Sequence, residues 1–539
     1  MKRLKYLLIA GVSLLLTSCE NFLDRQPESS LSGETFWTSE QDLKTWNAGM
    51  YDGLQSTLRT NWFYWGELRS GVYAERGTAY DRNLLYNGLN SQSGSSSWSD
   101  LYKTIYRANA AIKHIPTSPI GSSVSAPYLG QAYAMRALMY FYAIRVWGGV
   151  PKITEPMEDV SSQERYYGRT SVEELKAFIL EDIEKALEHI GASTDMSSAS
   201  KYYLNRGAIM ALRVDVLMWY KEYDKALVAA NDLLTNYKYS LEPASTYSSM
   251  FLNPSSSKEM IFNLFWNYEE DSNGFGYAQE LASGSNTIRY HPTKAYYKEL
   301  VSRKREDNRV TMIMDTFAIS YFITPDEMID ESYEKAMNGD YGNAANFQIK
   351  CPKFTEYGAT ANDGRPGYSY VANGSCSTHM PIYRLADILL LKAEALVLGT
   401  HKDYQGAINI VNQIRERAGW ENTAVLEDYP TEKDLIKLII DERTIELWAE
   451  GKRWFDLVRN DMVKEYLDPY LQNEDLGDQR IPEGFVIGAE KEANQIGGYG
   501  RILWPLNQDV FRKNPSMRGQ QNKPYDCLLY TSPSPRDTE

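Results

Sequence analysis

The sequence predicts a mainly α protein built on a tetratricopeptide-like helical repeat scaffold, and three observations carry that prediction. Apolar residues recur at helical spacing over most of the chain, most strongly in residues 101–115, 126–147, 171–190, 204–236, 381–417 and 433–459. Two of these runs resemble each other in outline. Between the runs lie long stretches without a sustained period, roughly 60–100, 240–300 and 339–380, rich in glycine, serine, asparagine and aromatic residues.

The N-terminus reads as a targeting segment. Lys2, Arg3 and Lys5 precede an apolar run from Leu7 to Leu16 that is too short to span a bilayer as a helix. Leu16-Thr17-Ser18-Cys19 matches a bacterial lipobox, so residues 1–18 are expected to be a lipoprotein signal peptide and Cys19 the lipidated first residue of the mature chain. Nothing downstream has the length and apolarity of a membrane-spanning helix.

The repeat is visible when "ALRVDVLMWYKEYDKALVAANDLL" from Ala211 is laid beside "LLLKAEALVLGTHKDYQGAINIVNQI" from Leu389. In each, an apolar helix is followed by a short break, then Tyr-x-x-Ala (Tyr223 to Ala226, Tyr404 to Ala407), then an asparagine five residues on (Asn231, Asn412). A tyrosine opening the second helix and a small alanine facing the first suit close helix-hairpin packing. The run "EELKAFILEDIEKALEHI" from Glu173 is a weaker candidate of the same kind.

Composition excludes several functions. The chain has 539 residues and a formal net charge of -14; the leader holds three cations and no acid, which leaves the mature chain at -17. Such a chain lacks the basic patch that nucleic-acid binding requires, so no nucleic-acid partner is expected. Five histidines and four cysteines, with no C-x-x-C pair, leave little material for a metal site, and no cofactor is expected. An exported location permits a Cys351–Cys376 disulfide, which spacing alone does not establish. No G-x-S-x-G, H-E-x-x-H or G-x-x-x-x-G-K-[ST] motif occurs. "DSNGFG" from Asp271 starts like a calcium loop but fails at Phe275 and Ala282.

The carboxylates are densest in "DERTIELWAEGKRWFDLVR" from Asp441, where helical spacing pairs Arg443 with Glu446, Glu450 with Arg453 and Arg453 with Asp456. A general acid needs an unpaired, apolar setting, so this segment reads as an ion-pair network fixing helix packing. The aromatic loops are the better lead, since the chain holds 40 tyrosines and 12 tryptophans. Flat rings stack on sugar C–H faces while arginine, asparagine and carboxylates bond hydroxyls. The loops are therefore expected to form an irregular ligand-binding region, with Trp65, Arg69 and Tyr73 from one stretch and Trp266, Tyr277 and Tyr290 from another as candidate contacts. Trp62 and Trp98, taken singly, read as packing residues. The last thirteen residues, "CLLYTSPSPRDTE", lack a helical period and read as an appended tail over 527–539.

One further set of residues carries a resemblance. "QAYAMRALMYFYAIRVWGGVP" at 131–151, "LYKTIYRANAAI" at 101, "MPIYRLADILLLKAEAL" at 380, "NQIRERAG" at 412, the Asp441 segment and "LWPLNQDVFRKNPSMRGQQNKPY" at 503 follow in order. Together with "CENFLD" at Cys19 they resemble the RagB/SusD family of Bacteroidota outer-membrane lipoproteins. The resemblance implies a SusD-like fold with an N-terminal region over 19–240 and a C-terminal region over 241–526. It implies a protein lipid-anchored at the outer membrane, facing the exterior. There it would capture oligosaccharide or polysaccharide, or in some members peptide, for a SusC-like TonB-dependent transporter, without catalysis. The match departs from the family at Gly71, which follows "ELRS" where relatives often carry an acid, and in the tail. A lipid-anchored hydrolase remains the alternative of another class; it would need an unpaired carboxylate in the 60–100 or 266–291 loops.

Overall fold

The computed structural model describes residues 36–75, 82–85, 88–157, 166–192, 199–272, 274–283, 288–303, 306–315, 349–360, 366–370, 375–471, 501–523 and 525. The expected leader, Cys19 and residues 527–539 lie outside the described residues.

Helix α1 (Glu40–Leu58) opens on a capping box: Ser39 Oγ accepts from the Asp42 amide at 3.2 Å, and the Asp42 carboxylate accepts from the Ser39 amide at 2.8 Å. Both bonds satisfy donors that a helix start leaves open. Helix α2 (Ser99–His114) follows, then α3 (Ser122–Trp147), which is buried residue by residue from Ala134 onward. A helix that is apolar all round belongs inside, and α3 packs against α1, α2 and α4 (Val172–Ile190). Arg136 of α3 grips Asp182 of α4 through two 2.8 Å bonds and donates to Asn109 of α2 at 2.9 Å, so one guanidinium aligns three helices. The helix stops at Gly148, whose φ of 76° favours glycine, and a Cβ on Gly149 would lie 2.5 Å from the Thr170 carbonyl oxygen. The "GGVP" sequence is thus a tight exit from the core.

The two repeat-like runs are helix hairpins. Helices α5 (Arg206–Trp219) and α6 (Tyr223–Asn236) form the first; α7 (Leu385–Leu398) and α8 (Tyr404–Arg417) form the second. Tyr223 and Tyr404 each open the second helix, and Ala226 and Ala407 are each 1% exposed. The paired asparagines diverge: Asn412 exchanges two hydrogen bonds with the Ala424 backbone, whereas Asn231 faces solvent. Helix α7 packs on both α5 and α6, which joins the hairpins in one core.

Strands occupy stretches that showed no sustained period, except that residues 381–384, expected inside a helical run, belong to β6, and the helix begins only at Leu385. β1 (Tyr73–Glu75) pairs antiparallel with β3 (Tyr290–Pro292), β2 (Met260–Trp266) with β6 (Thr378–Arg384), and β4 (Tyr357–Thr360) with β5 (Pro366–Tyr368). In "MIFNLFW" six of seven side chains are buried, so the period-two alternation that marks a half-exposed strand is missing.

The charged segment from Asp441 is the buried ion-pair network that its composition indicates, but with other partners. Helix α9 (Glu432–Glu446) ends before the chain turns through Ala449 (φ 60°) and Gly451 (φ 73°) into α10 (Arg453–Arg459). That break carries Glu450 and Arg453 out of helical register. Arg443 bonds Asp387 and Asp456 at 2.8 Å each, and Glu446 meets Arg384 at 2.6 Å and Arg309 at 3.0 Å. Glu450 pairs with Arg384 and Lys353, while Arg453 donates to Thr444 Oγ1 and the Ser70 carbonyl.

Candidate functional site

The structure brings the two aromatic loops together, but as core. Trp266 stacks on Phe275 at 4.5 Å, Phe275 lies 5.2 Å from Trp62, and Phe63 sits between Tyr73 at 5.0 Å and Tyr290 at 5.5 Å. Tyr277 donates its hydroxyl to the Cys351 carbonyl and meets Phe354 edge-on. Trp65 donates to the Ser95 carbonyl at 2.8 Å and packs edge-to-face on Trp147. The Arg69 guanidinium lies 3.8 Å over Trp454 and donates to the carbonyls of Arg501 and Ile502. Trp65, Arg69, Tyr73, Trp266, Tyr277 and Tyr290 are each at most 2% exposed, so none offers a face to a ligand in this structure. Composition marks a segment as ring-rich; it does not tell which ring the strand parity turns inward. Along β2, Trp266 points in and Phe265, its neighbour, points out with 38% exposure.

An open ring-lined cleft of about 580 Å³ lies instead along α2. Trp98, Tyr102 and Tyr106 recur every fourth residue, so one helical face carries all three. Trp98 precedes the first turn and meets Tyr102 edge-on at 5.4 Å. Tyr102 is pinned by donating to the Pro151 carbonyl at 2.6 Å, and Tyr106 is 38% exposed. Trp46 of α1 closes one wall, its indole N–H donating to the Arg107 carbonyl at 2.8 Å. Trp98 does pack against the core, as read from sequence, with its ring 5.8 Å from Trp147, and its partly buried side chain also lines this cleft. The sequence signal was available in the four-residue spacing, hidden by the boundary between loop and helix at Ser99.

The rim is polar. Lys103 pairs with Asp100 and Arg107 with Asp52, each at 2.9 Å, while Asp509 faces Arg512 and Lys513. Neighbouring hydrogen-bond donors, Arg512 first, hold the Asp509 carboxyl below its ordinary range. Exposed pairs of this kind contribute little to stability and exchange readily for other hydrogen-bonding partners. Rings on the floor and exchangeable polar groups at the rim can hold a ligand that is apolar on its faces and hydroxylated at its edges.

One carboxyl in the 266–291 stretch has an acid-like environment. Burial raises Glu280 to about 7, opposed by Arg289, which donates to it at 2.9 Å, and by the Tyr64 hydroxyl at 3.1 Å. Its side chain is 0% exposed, and it does not line the α2 cleft. Glycoside hydrolysis needs two carboxyl groups flanking an open cleft.

A stack of helix hairpins bearing an open, ring-lined cleft defines a helical binding protein. The chain belongs to the SusD family: residues 265–525 match the SusD family pattern, and residues 21–214 match the family described as starch-binding, associating with outer membrane. The SusD-like protein P38 of Formosa agariphila is 32% identical over 97% of this chain and 100% of its own length. A SusD-like protein of Bacteroides ovatus is 25% identical over 84% of this chain and 82% of its own. Among solved structures, a SusD homolog from Bacteroides thetaiotaomicron has a TM-score of 0.65 at 19% identity, covering 90% of this chain and 99% of that one. B. fragilis NanU has a TM-score of 0.62 at 23% identity, covering 93% and 99%. By family, this is a nutrient-binding accessory protein that associates with the outer membrane.

Proposed function

We propose that the protein captures oligosaccharide or polysaccharide at the cell surface and hands it, without turnover, to a SusC-like TonB-dependent transporter. The observation that carries the reading is the Trp98, Tyr102 and Tyr106 ladder in an open cleft with a polar rim. Stacked rings accept many sugars, and the rim groups select among them. The family description supports a saccharide ligand and outer-membrane association. Cys19, behind its lipobox, supplies the anchor, and an outward-facing position follows from the capture role. Glu280 is a packing residue, and the protein is a binder.

Calorimetry on the chain from Glu20 onward, against plant, host and microbial glycans and mixed peptides, tests this. Saturable glycan binding without product, weakened by Tyr106→Ala by about 1 kcal/mol as expected for a lost stacking ring, would support it. A peptide signal with silence across the glycans would place the protein among peptide-capturing members, and release of reducing ends would make it a hydrolase. A Cys19→Ala chain should leave the membrane fraction, and recovery with the membrane at the wild-type level would overturn the anchor.

A further inference from the structure

We propose that the outer face of the β2–β6 ribbon carries a second saccharide site, separate from the α2 cleft and built for an uncharged sugar ring. The inference rests on the saccharide-capturing reading above. Side chains two apart on a strand share a face, so Asn263 and Phe265 point the same way from β2, and Phe265 sits across from His379 of β6. Their rings stack with centroids 4.5 Å apart and planes 20° apart. Tyr202 lies 5.5 Å from His379, and Tyr203, 44% exposed, meets Tyr51 of α1 edge-on at 5.3 Å. Between this face and α1 is a recess of about 560 Å³.

Asn263 lines the recess. It is 1% exposed, and among the described residues neither its amide nitrogen nor its amide oxygen has a hydrogen-bond partner. Buried amides are almost always satisfied, because an unmade bond inside the protein destabilises the fold. An amide left open on both atoms is matched to an absent partner that donates and accepts at adjacent positions. Vicinal hydroxyls of a pyranose do so, while the C–H faces of the same ring suit Phe265 and Tyr203.

Charge sets the class of sugar. Among the described residues, no lysine, arginine, aspartate or glutamate lines the recess, in contrast to Lys103, Arg107, Asp509 and Lys513 around the α2 cleft. Burial draws His379 down to about 4, which leaves its ring neutral at pH 7. A uronate, sulfate or ammonium group entering here would lose hydration without gaining a counter-charge. A neutral ring loses nothing of the kind.

The test uses the mature full-length chain with Asn263→Leu and Phe265→Ala. The probes are cellohexaose, xylohexaose, maltohexaose and mannohexaose, with hexagalacturonate as the charged counterpart. Asn263→Leu should raise the melting temperature, since it removes an unpartnered buried amide, yet weaken at least one neutral hexasaccharide about tenfold. Phe265→Ala, at an exposed position that the fold tolerates, should weaken the same probe severalfold, and hexagalacturonate binding should not change. A lower melting temperature for Asn263→Leu together with unaltered binding would overturn the site. If neutral probes bind and respond to Tyr106→Ala but to neither recess variant, the second site falls while the capture reading stands. If no saccharide binds the unmodified chain, both fall. Peptide binding that depends on Asn263 would overturn the sugar class.

Discussion

Arg384 donates from Nη1 to Glu446 Oε1 at 2.6 Å, and neither side chain touches solvent. The same guanidinium reaches Glu259 at 2.6 Å and Glu450 at 2.9 Å, so three carboxylates converge on one cation. Burial by itself would raise Glu446, but Arg417, Arg384 and Arg309 draw it well below the carboxylate range. A depressed carboxyl stabilises the fold above its unfolded value and loses that contribution as pH falls through the folded one. Arg384→Met should therefore lower unfolding free energy by about 3–5 kcal/mol, because the carboxylates remain buried when their partner is gone. Urea denaturation at pH 7 measures it.

The buried rings should behave as core and the cleft rings as surface. Trp266→Ala is expected to destabilise by about 3–5 kcal/mol, the usual result of emptying an aromatic core position. Tyr106→Ala should change stability by less than about 0.5 kcal/mol, as at an open surface site. Paired denaturation and glycan-binding curves separate the two: the first variant loses fold, the second loses affinity alone.

Glu67 gives an alkaline test. Its carboxylate accepts from the Gly451 amide at 3.0 Å and from the Lys452 amide at 3.4 Å, where Gly66 approaches so closely that a Cβ would meet the Gly451 carbonyl oxygen. Burial raises it to about 8, against the pull of those amides and of Arg453. A carboxyl raised on folding stabilises below its ordinary value of 4.5 and loses that contribution as pH climbs through about 8. Glu67→Gln keeps an acceptor for the two amides without titrating. Its melting temperature, relative to the unmodified chain, should rise between pH 5 and about pH 8 and level off above that; a flat difference throughout would refute the shift.

Cys351 and Cys376 are unbonded, buried thiols. Burial pushes the Cys376 thiol up to about 12, and Cys351 Sγ contacts the Met312 carbonyl at 3.3 Å. Low thiolate character and no access make a thiol inert. Peptide mass spectrometry after iodoacetamide treatment should find both unmodified in native protein and both alkylated after unfolding. A linked 351–376 peptide from unreduced protein would contradict the structure.

Much of the scaffold was legible because its causes are local. The Tyr223 to Ala226 and Tyr404 to Ala407 spacings marked where second helices begin. Helical periodicity and caps depend on neighbours within a turn or two. The strands escaped because β2, with six of its seven side chains buried, shows no alternation.

By itself the sequence determined the helical class, the paired hairpins, the helical run that ends before Gly148 and the family. Only the tertiary structure decided which rings are core, which cation each carboxylate meets and where the clefts open. Arg69 lies against a carbonyl 433 residues away, and Glu67 against an amide 384 residues away. Phe265 and Trp266 differ by one position yet face solvent and core. Exposure is a property of what packs against a residue, and for these side chains the packing partners come from the far end of the chain.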